Sequence, residues 1–170
     1  MSGELHKKLI EIGRVYLLNH QISGMCKSSI VATEITIPCG ECADVIGWAN
    51  GNSVLLEAKT SRQDFKKDFK KWFRMNPEQG LGDLRVYIAP KGLIKLDELP
   101  ENWGLIEVNE KGRPKMVKKP VKQSGNKKAE ILVLSSLLKR IGKNAPEGVS
   151  IKCYSYETKN TATLTIKEDE

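Results

Sequence analysis

The first hydrophobic pattern along the chain has the spacing of a helix. Four apolar side chains recur every three or four residues and therefore fall on one stripe of an amphipathic helix. These side chains are Leu5, Leu9, Ile12 and Tyr16. The pattern predicts a helix over residues 4–18 that packs this stripe against the rest of the protein.

The next hydrophobic runs have the composition of strands. Residues 29–38 are rich in β-branched side chains and end at a proline, and the runs 42–48 and 53–59 flank the sequence ANGN. Within that sequence Asn50-Gly51 is a strong hairpin signal, because both residues accept a positive φ. A three-stranded β-meander is therefore predicted to follow the first helix.

From Ser61 onwards the apolar positions return to a helical period. The apolar members are Phe65, Phe69, Trp72 and Phe73, and the other faces carry Lys66, Lys67, Lys70, Lys71 and Arg74. We predict one continuous amphipathic helix with a strongly basic outer surface. Trp72 belongs to the apolar stripe and is expected in the core.

The second half of the chain repeats both kinds of pattern. Residues 84–90 and 103–108 predict strands, and the first of these is expected to run parallel to its predecessor because a helix connects the two. Residues 109–113 predict a hairpin turn. A lysine-rich polar stretch then precedes a helix predicted over residues 129–142, which ends at a glycine. Two further β-like runs predict a terminal hairpin.

Together these elements predict an α/β fold with a mixed central sheet flanked by helices. A length of 170 residues suits one domain, predicted here over residues 1–170. No apolar run approaches the ~20 residues that span a bilayer, and the first residues lack the pattern of a secretory signal. We therefore expect a cytoplasmic protein without a membrane partner.

The net charge of +7 and the isoelectric point near 9.2 change this picture by favouring a polyanionic partner. Nucleic acid is favoured over membrane, because no basic amphipathic helix with a bulky apolar face stands alone. The cysteines say less about function than the charge does. CGEC at residues 39–42 has the spacing of half a zinc site, but no second pair follows, so reduced cysteines are the preferred interpretation.

The hairpin holds the main candidate for chemistry. If Asn50 and Gly51 form its turn, Asp44 lies opposite Glu57, and the alternation of side chains puts Lys59 on the same face. A turn shifted by one residue pairs Asp44 with Lys59 and still keeps the three together. Two opposed carboxylates repel unless a cation lies between them. Mg²⁺, which takes one or two carboxylates plus waters and phosphate oxygens, fits this arrangement.

The alternative is a solvated sheet face on which the lysine merely pairs with an acid. The sequence VLLEAK around Glu57 and Lys59 is too apolar for an exposed ribbon, and burial of unpaired charges is costly. A catalytic site is the favoured interpretation. Lys59 could hold the attacking water, take its proton or neutralise charge on a phosphate.

These residues resemble a known nuclease pattern. Asp44, twelve residues, and then Glu57-Ala58-Lys59 across a hairpin resemble the PD-(D/E)XK, or restriction-endonuclease-like, nuclease superfamily. The predicted order of helix, three strands, helix and strand is similar to the core of that superfamily. More narrowly, residues 5–119 resemble the MmcB-like DNA repair proteins and related nucleases of phages and mobile elements.

The resemblance implies a metal-dependent nuclease that acts on DNA in repair or in phage and mobile-element biology. Its core would span residues 5–119, with a helix and hairpin extension over 127–167. Asp44, Glu57 and the Ala58 carbonyl would hold Mg²⁺ or Mn²⁺, and Lys59 would assist the attack of water. The alternative is a nucleic-acid-binding module that keeps the nuclease fold without turnover.

Two further sets of residues are candidates. In the superfamily a glutamate of the first helix often assists the metal, and Glu11 is the candidate here, with Glu34 of similar rank. Ser61 and Asp64 stand where a helix begins, so capping is their ordinary role. The candidate nucleic-acid contacts are Ser61, Gln63, Lys67, Lys70, Lys71 and Arg74. The form of the substrate, the mode of cutting and the oligomeric state stay open.

Overall fold

The computed structural model describes residues 2–36 and 41–142. The predicted terminal hairpin lies outside these residues, as do Cys39 and Cys153. None of the helices in the described part is long and apolar enough to cross a membrane.

A single six-stranded mixed sheet organises the described part of the chain. Its strands are β1 (Ile30–Thr36), β2 (Cys42–Ala49), β3 (Asn52–Ala58), β4 (Leu84–Pro90), β5 (Gly104–Val108) and β6 (Pro114–Lys118). They lie side by side in chain order. The pairs β3–β4 and β4–β5 are parallel and the other pairs are antiparallel. The prediction of an α/β fold with a mixed sheet and flanking helices is confirmed.

Helices cover both faces of this sheet. They are α1 (Ser2–Asn19), α2 (Arg62–Asp68), α3 (Trp72–Met75) and α4 (Lys127–Gly142). On one face, α1 packs Leu9 and Leu17 against Val45 and Leu56. On the other face, α2 and α4 cover a second core built around Ile46, Leu55, Phe65, Tyr87 and Val133. The interior of the sheet is therefore dry on both sides, and a charged side chain there requires a partner.

The central hairpin has the predicted register. Ala49 faces Asn52 and Val45 faces Leu56, with Asn50 and Gly51 in the turn at φ values of 50° and 73°. The registered pairs end there, and beyond them the Asp44 side chain accepts the Ala58 N–H, which brings Asp44 to the end of β3 beside Glu57. The local turn chemistry thus fixes which side chains meet at the far end of the hairpin.

The predicted basic helix is two short helices rather than one. After Asp68 the amides of Lys70 and Lys71 bond three residues back, to Lys67 and Asp68, in tight turns. The break reorients the second helix so that Arg74 is buried and Trp72 is 60% exposed. The prediction that Trp72 lies in the core is therefore wrong, because ionic contacts of Arg74 decide which side of α3 faces inward.

The lysine-rich stretch before α4 is held against the sheet. Gln123 N–H donates to the Asp83 carbonyl at 2.7 Å, and a cluster of the buried Ser53, Asp83 and Glu130 with the half-exposed Lys127 fastens the start of α4. Burial alone would raise the pKa of Asp83, but the hydrogen bond and charge of Lys127 together with the backbone amides of Ser53 and Gly125 lower that pKa. This cluster explains why α4 begins two residues before the predicted start.

Candidate active site

The start of β2 and the end of β3 meet at one edge of the hairpin, where the predicted residues come together. Asp44 Oδ2 accepts the Ala58 N–H at 2.9 Å. The Lys59 N–H bonds to the Ile88 carbonyl on β4 at 3.0 Å. Because successive peptide groups of a strand point to opposite sides, the Ala58 carbonyl points to the side of Asp44. Two carboxylates and one carbonyl thus converge on this edge.

Glu57 and Lys59 are both buried, with 1% and 3% of their surface exposed. The Lys59 ammonium lies 3.2 Å from Glu57 Oε2 and 2.9 Å from Asp68 Oδ1. A buried ammonium is tolerated only when such partners replace its water. The lysine is therefore fixed in orientation between two acids and is not a solvated surface group.

Asp68 is the hub of a wider ionic network that the sequence analysis does not predict. Its carboxylate accepts hydrogen bonds from Arg74 Nε at 2.8 Å and from the Tyr87 hydroxyl at 2.7 Å, and Lys71 Nζ lies at 2.8 Å. Burial alone would raise the pKa of Asp68, but the charges of Arg74 and Lys59 outweigh it and lower the pKa. Asp68 is therefore a permanent anion beside the lysine.

Arg74 closes the network from α3. Its guanidinium is 4% exposed, lies 4.7 Å from the Trp103 ring centroid, and pairs with Glu41 at 3.0 Å as well as with Asp68. The sequence contains weak signals for Asp68 and Glu41 as members of this network. Asp68 is the one acid within the lysine-rich run KKDFKK, and Glu41 is an acid directly before a buried strand.

Asp44 has a different environment from the other acids. Burial is the largest cause raising the pKa of Asp44, and the neighbouring charge of Glu57 adds to it. His6 Nε2 lies 3.4 Å from Asp44 Oδ1. The two carboxylates therefore repel one another, and a further cation at this edge would stabilise both.

The first helix brings His6 to the site instead of Glu11. Glu11 is exposed on the solvent side of α1, where Arg14 Nε donates to its carboxylate at 2.8 Å. The expectation that Glu11 assists a metal is therefore corrected. Glu34 is also exposed and sits in β1 with φ of 51°, between the registered pairs Thr33–Val45 and Ile35–Ala43.

The donor set fits a hard divalent cation. Glu57 Oε1 is buried without a hydrogen bond, and it faces Arg74 Nη2 at 3.2 Å as an ion pair only. With Asp44 and the Ala58 carbonyl it offers oxygen ligands, the type that Mg²⁺ and Mn²⁺ take. Among the described residues no three His, Cys, Asp or Glu side chains group closely enough to hold a metal. Two carboxylates and a carbonyl would hold such an ion together with water or phosphate oxygens, as is usual for Mg²⁺.

The start of α2 carries the candidate nucleic-acid contacts. Ser61 Oγ accepts the Asp64 N–H at 3.1 Å, which is the capping role. A groove of about 440 Å³ lies alongside, lined by Arg62, Gln63, Lys66, Lys67 and Lys70. Within the described ranges, no acidic side chain pairs with the three lysines of this groove. They present uncompensated positive charge to solvent.

Arg74 and Lys71 do not share that role. Arg74 is enclosed by Glu41, Asp68 and Trp103, and Lys71, although half-exposed, directs its ammonium to Asp68 and Glu57. The expectation that both contact substrate phosphates on a solvated helix face is corrected, because the break after Asp68 turns them toward the buried acids.

Comparisons with known proteins show the fold alone. No model of a protein family matches the chain, and no curated protein matches it. A solved structure described as the SPO1766 protein of unknown function from Silicibacter pomeroyi is similar, with a TM-score of 0.51 and 22% sequence identity. The similarity covers 72% of this chain and 84% of that one.

Proposed function

We propose that the protein is a metal-dependent nuclease that cleaves phosphodiester bonds in DNA, built on a restriction-endonuclease-like core. The observation that carries the proposal is the meeting of Asp44, Glu57 and Lys59 at one edge of a buried hairpin. Charged side chains in such a place cost stability, so their presence favours a chemical role. The resemblance of the motif also supports a role in DNA repair or in phage and mobile-element biology.

Asp44, Glu57 and the Ala58 carbonyl would hold Mg²⁺ or Mn²⁺. When bound, such an ion supplies Lewis-acid activation of water and stabilisation of negative charge on the phosphate. Glu57 Oε1 has no hydrogen bond, and it would exchange its ion pair with Arg74 at 3.2 Å for the metal. Asp44 keeps its second oxygen on the Ala58 N–H, which orients its carboxylate.

Lys59 is the charged donor of the site. Its ammonium is held by Asp68 and Glu57, so it would donate to a phosphate oxygen or to the attacking water rather than accept a proton. Asp68 acts through Lys59, and we regard it as a positioning residue. Preorganised donors of this kind stabilise charge that develops in the transition state.

A second candidate function is a DNA-binding module without turnover. One observation favours it: Lys71 and Arg74 already neutralise Glu57 and Asp68, so the acidic cluster is satisfied by the chain's own cations. The groove lysines would bind phosphates in either case.

Cleavage assays separate the two candidates. Linear, branched, flapped and single-stranded DNA would be incubated with Mg²⁺ or Mn²⁺ and either the wild-type protein or Asp44→Asn purified identically. We expect cleavage by the wild type alone. Equal cutting by both preparations would indicate a contaminant, and no cutting of any substrate by the wild type would favour the binding module.

Metal binding is expected to require both hairpin carboxylates. Calorimetric titration with Mn²⁺ should show binding to the wild type and its loss in Asp44→Asn and Glu57→Gln, because each removes an anionic oxygen ligand. Glu11→Gln is the matched control, since that exposed carboxylate lies on the outer side of α1. Unchanged Mn²⁺ binding in both hairpin variants would refute the site.

The groove lysines are expected to set the salt dependence of DNA binding. Lys67→Ala and Lys70→Ala should each lower the slope of log K against log salt by about 0.9 for duplex DNA, one phosphate contact apiece. Lys139→Ala, an exposed lysine on α4, is the control. Slopes equal to wild type in both groove variants would show that these lysines form only a solvated surface.

A further inference from the structure

Trp72 differs from the other tryptophans of the protein in its exposure. The indoles of Trp48 and Trp103 are buried at 8% and 4%, whereas Trp72 is 60% exposed. Stacking joins Tyr87 to Trp103, but no such ring contact involves Trp72 in residues 41–142. An exposed aromatic ring offers a face on which a base can stack.

The position of Trp72 ties it to the acidic cluster. Trp72 begins α3 directly after Lys71, whose ammonium reaches Asp68 and Glu57. Arg74, two residues on, faces the interior, and a separation of about 200° around a helix directs Trp72 outward. The indole therefore points away from the ionic network, from a backbone position next to Lys71.

Unpaired positive charge directly precedes Trp72 in the chain. Lys70, two residues before Trp72, lines the groove together with Lys66 and Lys67. Lys59 and Arg74 are paired with acids, whereas these three lysines have no acidic partner among the described residues. An aromatic face beside a track of lysines is the arrangement that binds single-stranded nucleic acid, with bases on the ring and phosphates on the lysines.

We propose that Trp72 is a stacking platform for an unpaired base of DNA, and that the substrates carry a single-stranded segment beside the bond that is cut. This inference rests on the proposed nuclease function and specifies its substrate class. Bases inside a duplex have both faces covered by their neighbours, so away from a duplex end only an unpaired base can offer its face to the indole. Phosphates of the same strand would lie along Lys66, Lys67 and Lys70.

Binding without cleavage tests this inference. Affinities for an oligothymidylate of about 16 nucleotides and for a blunt duplex would be measured in EDTA. Trp72→Ala should weaken oligothymidylate binding by about 10-fold or more and leave duplex binding within about twofold. Trp72→Phe, which keeps an aromatic face, should retain most of the affinity. Ile131→Ala, which removes an equally exposed apolar side chain from α4, is the matched control.

Tryptophan emission provides a second measurement. Oligothymidylate should quench the wild type, whereas Trp72→Phe, which keeps the two buried indoles, should lose that response. Unchanged oligothymidylate affinity in Trp72→Ala, with duplex binding intact, would overturn this inference and leave the nuclease proposal standing. No binding of either DNA by the wild type would contradict both. A Trp72 response to anionic lipid vesicles but not to oligothymidylate would reassign the indole to a membrane surface.

Discussion

Lys59→Ala is expected to lower the rate of DNA cleavage by about 10²- to 10⁴-fold, the usual contribution of a positioned proton donor or charge-stabilising group. The ammonium lies 2.9 Å from Asp68 and 3.2 Å from Glu57, so the wild-type side chain is fixed before substrate arrives. The substitution removes this positive charge and leaves both hairpin carboxylates in place. Mn²⁺ and DNA should therefore still bind.

The comparison requires a substrate that the wild type cuts and proteins purified in parallel. Lys115→Ala, which changes an exposed lysine on β6, removes the same charge away from the site and should cut at the wild-type rate. Circular dichroism and Mn²⁺ titration would show that Lys59→Ala is folded. If folded Lys59→Ala cuts DNA at the wild-type rate, the catalytic group lies elsewhere.

Arg74→Met is expected to destabilise the folded protein by about 3–5 kcal/mol, the cost of removing one partner from a buried ionic network. Arg74 contacts three carboxylates, those of Glu41, Glu57 and Asp68, and no water replaces it inside the core. The side chain also packs over Trp103, so the loss includes a cation–π contact. Urea unfolding followed by circular dichroism measures the change.

Lys71→Met provides the comparison for Arg74. Lys71 touches two of the same acids, but its side chain is 48% exposed, so solvent screens its contribution and the loss should be about 1 kcal/mol or less. Similar small losses for both variants would show that the remaining cations compensate for Arg74. That result would also show that the ionic contacts of Arg74 do not determine which side of α3 faces inward.

The hairpin could be predicted because its signals are local. Asn50-Gly51 determines the turn, the turn determines the register, and the register brings Asp44 and Glu57 to the same end of the hairpin. Each step involves neighbouring residues and backbone geometry. For that reason the site residues on these two strands could be predicted from the sequence.

The second basic helix could not be predicted because its geometry depends on distant partners. Helical spacing alone favours one helix with Trp72 inside, and nothing near Arg74 in the sequence indicates that Glu41 will meet it. Similarly, the apolar stripe of α1 predicts which face is buried. It does not fix where along the sheet the helix lies, which decides that His6 and not Glu11 reaches Asp44.

The chain-order sheet also has a consequence for folding. Each strand pairs with the strands that precede and follow it, so most pairing closes short loops at low entropic cost. The two-residue turn brings Asp44 and Glu57 together early, whereas Arg74 reaches Glu57 only when α3 docks. Repulsion between Asp44 and Glu57 therefore opposes strand pairing at the end of the hairpin far from the turn. This repulsion is relieved only when α3 docks, so the site is completed only when the whole domain has folded.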